Sequence, residues 1–164
     1  MQLTSHTDHA LRILIYLMVN PERKISTREI AELYGISLHH LTKVAKSLVK
    51  GGWLLSTRGG NGGLVLAPHT PATTIGDIVR YTENMALVVC FTQKTPGCPI
   101  ATVCQLKPVI HRARQAFFDV LDSTTIAEIS RNQAELNFIL KPAPRRVSVN
   151  PSRSPKPGGK QRKA

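Results

Sequence analysis

The order of signals between Ser26 and Ala67, STREIAELYGISLHHLTKVAKSLVKGGWLLSTRGGNGGLVLA, constrains the fold more than any other feature of the chain. Ser26 followed three residues later by Glu29 is the pattern of a capping box, in which each side chain bonds the other residue's backbone N–H. Ile30, Ala31, Leu33 and Tyr34 supply the apolar residues of the helix that follows. Gly35 stands just past its end, where glycine is the usual residue. Ser37 is the candidate cap of a second helix whose buried stripe is Leu41, Val44, Ala45 and Leu48, and Gly51 and Gly52 end it. Two short apolar runs, within Trp53 to Ala67, then flank RGGNGG, whose glycines and Asn61 tolerate positive φ, the mark of a hairpin. Capped helix, glycine turn, basic helix and glycine-tipped hairpin, in that order, predict a winged helix-turn-helix.

The rest of the chain extends this plan. A helix from about His6 to Met18 carries Leu11, Leu14, Ile15 and Met18 at i, i+3, i+4 and i+7. TTIGDIVRYTE (Thr73 to Glu83) reads as another short helix. CQLKPVIHRARQAFFDVLDST places Leu106, Val109, Ile110, Ala113, Phe117, Val120 and Leu121 on one stripe of a long amphipathic helix, with Pro108 tolerated in the first turn. TIAEIS adds a short final turn. The expected fold is mainly α with a small β-hairpin wing. It divides into a DNA-binding winged helix-turn-helix at 1–83, a cysteine-bearing loop at 84–104, the long helix and a C-terminal short helix at 105–140, and a tail at 141–164. There is no internal repeat.

Charge separates the tail from the rest. The net charge is +12. Residues 1–140 hold fourteen Lys or Arg against ten acids, +4, and residues 141–164 hold eight and no acid, +8. The tail is rich in Pro, Gly and Ser and nearly free of apolar residues, so it is expected to be disordered. It serves either solubility or weak, non-specific DNA binding through counterion release. The best apolar run, Leu11 to Val19, is far shorter than the ~20 residues that cross a bilayer and contains Arg12. With no signal peptide visible, a cytoplasmic protein without membrane contact is expected, and its thiols stay reduced.

From Arg23 to Arg58 there are seven Lys or Arg and two acids. The polar side of the second helix-turn-helix helix shows Ser37, His39, His40, Thr42, Lys43 and Lys46, types that reach base edges in the major groove of double-stranded DNA. Arg28 and Lys50 suit phosphates, and Arg58 and Asn61 at the hairpin tip suit a minor groove. Adjacent His39 and His40 point about 100° apart on a helix, which favours DNA contacts over a shared metal. No nucleophile motif, phosphate loop or paired carboxylates mark an enzyme.

All three cysteines lie in CFTQKTPGCPIATVC, as Cys90, Cys98 and Cys104. The spacing C-x7-C-x5-C fits neither the close pairs of a zinc site nor a C-x-x-C redox motif. Iron–sulfur clusters prefer thiolates and tolerate a different fourth ligand. Pro99 stands where a helix would start, with Cys98 in the cap position. Cys98 and Cys104 would not share a face of one continuous helix, so the chain must turn between them. Cluster ligands and reduced bystander thiols both remain open on the residues alone.

Taken together, LTSHTDHALRILIYL, STREIAELYGISLHHLTKVAKSLVKGGWL, STRGGNGGLVL and the cysteine segment ahead of a long helix resemble the iron–sulfur winged-helix transcriptional regulators of the IscR/NsrR type. The resemblance covers about residues 1–140. It implies a homodimer in which the long helices cross as dimerisation helices, with one iron–sulfur cluster per subunit. In one branch of that family a histidine three residues after the last cysteine completes a 2Fe–2S site; here that position is Lys107, and His111 does not match it. In the nitric-oxide-sensitive branch the extra ligand is an acid of the first helix, donated by the other subunit, and this position resembles Asp8. The resemblance therefore implies Cys90, Cys98, Cys104 and the other subunit's Asp8 as metal ligands, with 4Fe–4S favoured over 2Fe–2S. Without it, Asp8 reads as an acid stabilising a helix N-terminus. Arg12, one turn on, pairs with Asp8 or faces DNA. The implied function is a nitric-oxide-sensing repressor that holds a palindromic operator and releases it when the cluster is nitrosylated, derepressing nitric-oxide detoxification genes. The alternatives are a regulator sensing iron, oxygen or cluster supply and, remotely, an electron-transfer protein.

Overall fold

The computed structural model describes residues 2–57, 59, 62–85 and 98–140. Arg58, Asn61, Cys90 and the basic tail lie outside the described residues. Helix α1 (Ser5–Met18) is followed by α2 (Thr27–Tyr34) and α3 (Leu38–Lys50), then strands β1 (Leu54–Thr57) and β2 (Gly63–Leu66) and one 3₁₀ turn at Thr70–Ala72. Helices α4 (Ile75–Thr82), α5 (Leu106–Asp122), α6 (Ile126–Ile129) and α7 (Gln133–Ile139) complete the chain. The mainly helical fold with a two-stranded wing is the one expected. The 3₁₀ turn and α7 were not foreseen. Among the described residues no helix is long and apolar enough to cross a membrane.

Strands β1 and β2 pair antiparallel, Leu54 opposite Leu66 and Thr57 opposite Gly63. Ile25, ahead of α2, adds a one-residue antiparallel bridge to β2 by exchanging backbone bonds with Leu64 at 3.1 and 2.8 Å. Gly63 permits this approach, because a Cβ there would lie 3.0 Å from the Ile25 nitrogen. Gly35 ends α2 at φ 62, the left-handed conformation that favours glycine.

The predicted caps are half right. Ser26 caps α2 by accepting from the Glu29 N–H at 3.1 Å, but no reciprocal bond closes the box. The Glu29 carboxylate instead accepts from the Tyr16 hydroxyl at 2.9 Å and from Arg23 at 3.0 Å. Tyr16 is fully buried, and a buried hydroxyl needs an acceptor more than an exposed helix end needs a second cap. Burial first, and then the Glu29 bond, push the Tyr16 pKa up to about 12. Ser37 occupies the cap position of α3 but makes no side-chain cap bond. Complete boxes form at Thr74/Asp77 and Thr125/Glu128.

The core gathers Ala10, Ile13, Leu14 and Leu17 of α1, Ile30 and Ala31 of α2, the α3 stripe, Leu54, Leu64, Ile78, Val79, Phe118 and Ile126. The buried face of α1 differs from the expected one. Leu14 belongs to both, but Leu11, Ile15 and Met18 are only half-buried, whereas Thr7, Ala10, Ile13, Tyr16 and Leu17 are buried. Helix α1 packs against α3, α4, α6 and β2, and this surrounding rather than a single stripe sets its orientation. A similar correction applies to α5. Its one buried residue is Phe118, not a member of the predicted stripe; of that stripe Phe117 and Leu121 are half-buried against the core, whereas Leu106, Val109 and Val120 are exposed.

Glu83, at the end of α4, bridges to the start of α1. Its carboxylate accepts from the Thr4 N–H at 2.6 Å, the Thr4 hydroxyl at 2.9 Å and the Thr7 hydroxyl. Partial burial works to raise its pKa, but the donors from Thr7 and Thr4 outweigh it and hold the carboxyl below the usual range. A depressed folded-state pKa contributes stability above the unfolded value of about 4.3, and that contribution is lost as pH falls through the folded value. Metal-free wild type is therefore expected to melt higher than Glu83→Gln at pH 7, the two midpoints converging below about pH 4. Parallel curves across that range would show that the carboxylate carries no such linkage.

Candidate nucleic-acid interface and cysteine segment

Helix α3 divides cleanly. Leu41, Val44, Ala45 and Leu48 are buried to 4% exposure or less, which anchors the helix to α1 and α2. Ser37, just before the helix, and His39, His40, Lys43, Lys46 and Lys50 on it are all exposed. His39, Lys43 and Lys46 recur at helical spacing along one line, and the His39 and His40 rings lie 6.0 Å apart. Thr42 is half-buried, its hydroxyl donating to the Leu38 carbonyl at 2.7 Å, so it is less available to a ligand than its neighbours. Arg28 is exposed on α2. The arrangement offers donors and positive charge from one rigid helix, with the wing beside it.

Asp8 and Arg12 form an ion pair one turn apart on α1, at 3.0 Å, both about half exposed. Such exposed pairs are worth about 0–1 kcal/mol, so Asp8 can exchange this partner for another. The Arg12 guanidinium also lies 5.5 Å from the centre of the Tyr34 ring at the end of α2. Tyr34 meets Tyr16 edge-on at 6.4 Å, and Tyr16 bonds Glu29. A run of direct contacts thus leads from Asp8 into the helix-turn-helix. The Tyr34 pKa is raised, first by burial. Glu83, which sequence reasoning passed over, adds a second tie at the same end of α1. Its only signal was an acid closing a predicted helix just ahead of the cysteine segment.

Cys98 is exposed and Cys104 half-buried, and both are free thiols. Between them the chain turns twice, through Ala101 N–H to the Cys98 carbonyl at 2.9 Å and Val103 N–H to the Ile100 carbonyl at 3.0 Å. The expected reversal is present, but as two turns rather than a helix begun at Pro99; α5 starts only at Leu106, after Gln105. Ile100, Val103, Leu106 and Val109, in the same segment and the first turn of α5, are exposed apolar side chains. Among the described residues of one chain, no three His, Cys, Asp or Glu side chains come together to hold a metal ion. The donor chemistry nevertheless fits an iron–sulfur cluster: soft, accessible, unpaired thiols on a turning segment outside the core.

This architecture has close counterparts. The transcriptional regulator NsrR of Shouchella clausii is 41% identical over 143 residues, covering 86% of this chain and 96% of its own length. NsrR of Halalkalibacterium halodurans is 42% identical over 146 residues, covering 88% and 100%. Among solved structures, CymR, the global cysteine regulator of B. subtilis, superposes with a TM-score of 0.63 at 29% identity, covering 80% of this chain and 97% of its own. T. potens IscR gives 0.64 at 24% identity, covering 82% and 90%, a likeness of fold alone. These relatives are regulators rather than enzymes. A family model described as Rrf2, an iron-dependent transcriptional regulator, matches residues 3–132, and the chain belongs to that family.

Proposed function

We propose that this regulator is a nitric-oxide-sensing repressor that binds palindromic operator DNA as an iron–sulfur homodimer and lets go when the cluster is nitrosylated. The observation that carries the reading is the split donor set: free Cys98 and Cys104 on a segment with exposed apolar side chains, and an exposed acid, Asp8, whose present partner is weakly held. In this reading a second copy covers the exposed residues of α5, and one chain's Asp8 meets the other's cysteines. The NsrR relatives support the nitric-oxide signal, and Lys107 in place of a ligating histidine argues against the 2Fe–2S arrangement.

Cys90, Cys98 and Cys104 would hold the cluster, with Asp8 of the partner subunit as fourth ligand. When bound, it supplies the iron with which nitric oxide reacts. Everything else is the work of the chain. Asp8 engaged across the dimer leaves Arg12; Asp8 released returns to it. Each exchange alters what restrains Arg12 over Tyr34, and so the seating of α2 and α3 against α1. Moving operator affinity from nanomolar to micromolar takes about 4 kcal/mol of differential binding across the dimer. His39, Lys43 and Lys46 would read base edges and Arg28 a phosphate, with Arg58 and Asn61 at the wing.

The test is a gel shift under anaerobic conditions, with and without nitric oxide, on wild type and Asp8→Ala, alongside native mass spectrometry. Wild type is expected as a dimer with one cluster per chain that retards operator DNA and releases it on nitric oxide. Asp8→Ala is expected to bind operator at least tenfold more weakly before nitric oxide is added. An Asp8→Ala protein matching wild type in cluster spectrum, affinity and release would remove Asp8 from the mechanism. A zinc-only or metal-free wild-type dimer would overturn the cluster.

A further inference from the structure

Helix α4 joins the two working parts through consecutive residues. Arg80 makes a bidentate pair with Asp122, the last residue of α5, at 2.5 and 2.6 Å. Its guanidinium also lies 4.0 Å from the centre of the Phe118 ring, the one buried residue of α5. Gly76, one turn earlier, leaves the room: a Cβ there would fall 1.8 Å from the Asp122 carboxylate and 2.8 Å from the Arg80 guanidinium. Tyr81, the next residue, donates from its hydroxyl to the Ser47 carbonyl in the last turn of α3 at 3.0 Å, and its ring meets Trp53 edge-on at 4.8 Å. Backbone bonds brace the same junction, Ile75 N–H to the Thr124 carbonyl at 2.9 Å and Ile126 N–H to the Thr73 carbonyl at 3.0 Å.

We infer that Arg80 and Tyr81 form a strut that fixes the angle between α5 and α3, and so are positioning residues that set which half-site spacing the dimer accepts. The inference rests on the operator-binding dimer proposed above. Helix α5 is held at its C-terminal end, and in its first two turns every residue but the half-buried Ile110 is exposed. A helix of 17 residues is about 25 Å long, so a tilt of about 5° at the held end displaces the other by about 2 Å. The Arg80 and Asp122 side chains are 44% and 38% exposed, and an ion pair so exposed contributes little to stability. Its two-point geometry, the ring beneath it and the glycine opposite instead restrict direction, which one flexible contact would not do.

The experiment measures binding to palindromes whose half-sites are moved apart one base pair at a time, and to a single half-site. Wild type is expected to prefer one spacing at least tenfold over its neighbours. Arg80→Gln should flatten that preference to about threefold or less while single half-site affinity stays within twofold. Arg80→Lys, with charge but no fork, should behave as Arg80→Gln. Tyr81→Phe, which removes one hydroxyl and carries the test if Arg80→Gln does not fold, should shift the profile in the same direction. A profile as sharp as wild type in these variants, or half-site binding lost in proportion, overturns the strut. If wild type binds no palindrome, the operator reading fails by itself. The strut is then judged without DNA, from the distance distribution between nitroxide-bearing unnatural residues at position 50 of the two subunits. It should broaden in Arg80→Gln, and an unchanged width rejects the inference.

Discussion

Cys104→Ala is expected to yield a folded protein that holds no iron. Cys104 is half-buried at the entrance to α5, and no core contact depends on its sulfur. The metal-free variant and metal-free wild type should therefore melt within about 2 °C, since a substitution away from the core costs about 0.5 kcal/mol or less. Under anaerobic reconstitution the variant should show no visible cluster absorption and near-zero iron, because a thiolate is lost that no neighbouring described ligand replaces. Operator affinity should fall about 100-fold, roughly 2.7 kcal/mol, and become indifferent to nitric oxide. Wild-type iron content in this variant would remove Cys104 from the ligand set. An unfolded variant would make it structural instead, and Cys98→Ala, altering an exposed residue, then decides between the two.

The second large effect contrasts two residues of one helix. Leu41 is fully buried, and Leu41→Ala should cost about 2–5 kcal/mol through lost transfer energy and the cavity left behind. A domain with about 5–15 kcal/mol in total loses a large share of its stability. Lys43, two residues on, is exposed, and Lys43→Ala should leave stability within about 0.5 kcal/mol. Its effect should appear in operator binding, as weaker affinity and, if the ammonium meets phosphate, a salt dependence shallower by about one unit. Urea unfolding and anisotropy titrations at several salt concentrations separate the two. Equal destabilisation by both variants would contradict the division of α3 into a packed and an exposed face.

That division was legible in the sequence because it depends on local signals alone. A 3.6-residue stripe between two glycine stops leaves little choice of element or face, and Leu41, Val44, Ala45 and Leu48 are all buried. Helix α1 was harder. It is apolar on most sides because four elements surround it, so no single stripe predicts its orientation. Helix α5 misled for the opposite reason. Leu106, Val109 and Val120 of its strongest stripe are exposed in one chain, only Phe117 and Leu121 of it reach the core, and the one fully buried residue, Phe118, lies beside that stripe. Glu29 shows a local motif giving way to a distant need, the hydroxyl of buried Tyr16. Asp8 was beyond residue-level reasoning, since an acid in a first helical turn has an ordinary explanation; only the family likeness singled it out. Arg80 and Asp122 are 42 positions apart, and no periodicity links them.

The bonds from Thr4 and Thr7 to Glu83 would also bear on how tightly the proposed cluster is held. They pin one end of the segment from 84 to 105 to α1, and the other end runs into α5. Bringing distant parts of a chain together costs entropy that grows with the length of the loop closed. Here folding has already met most of that cost, so chelation closes only short loops inside a larger one. A free peptide with the same three cysteines would bear the whole of it. Affinity for the proposed cluster would then be in part a measure of how firmly two helices, neither of which contributes a cysteine, hold each other.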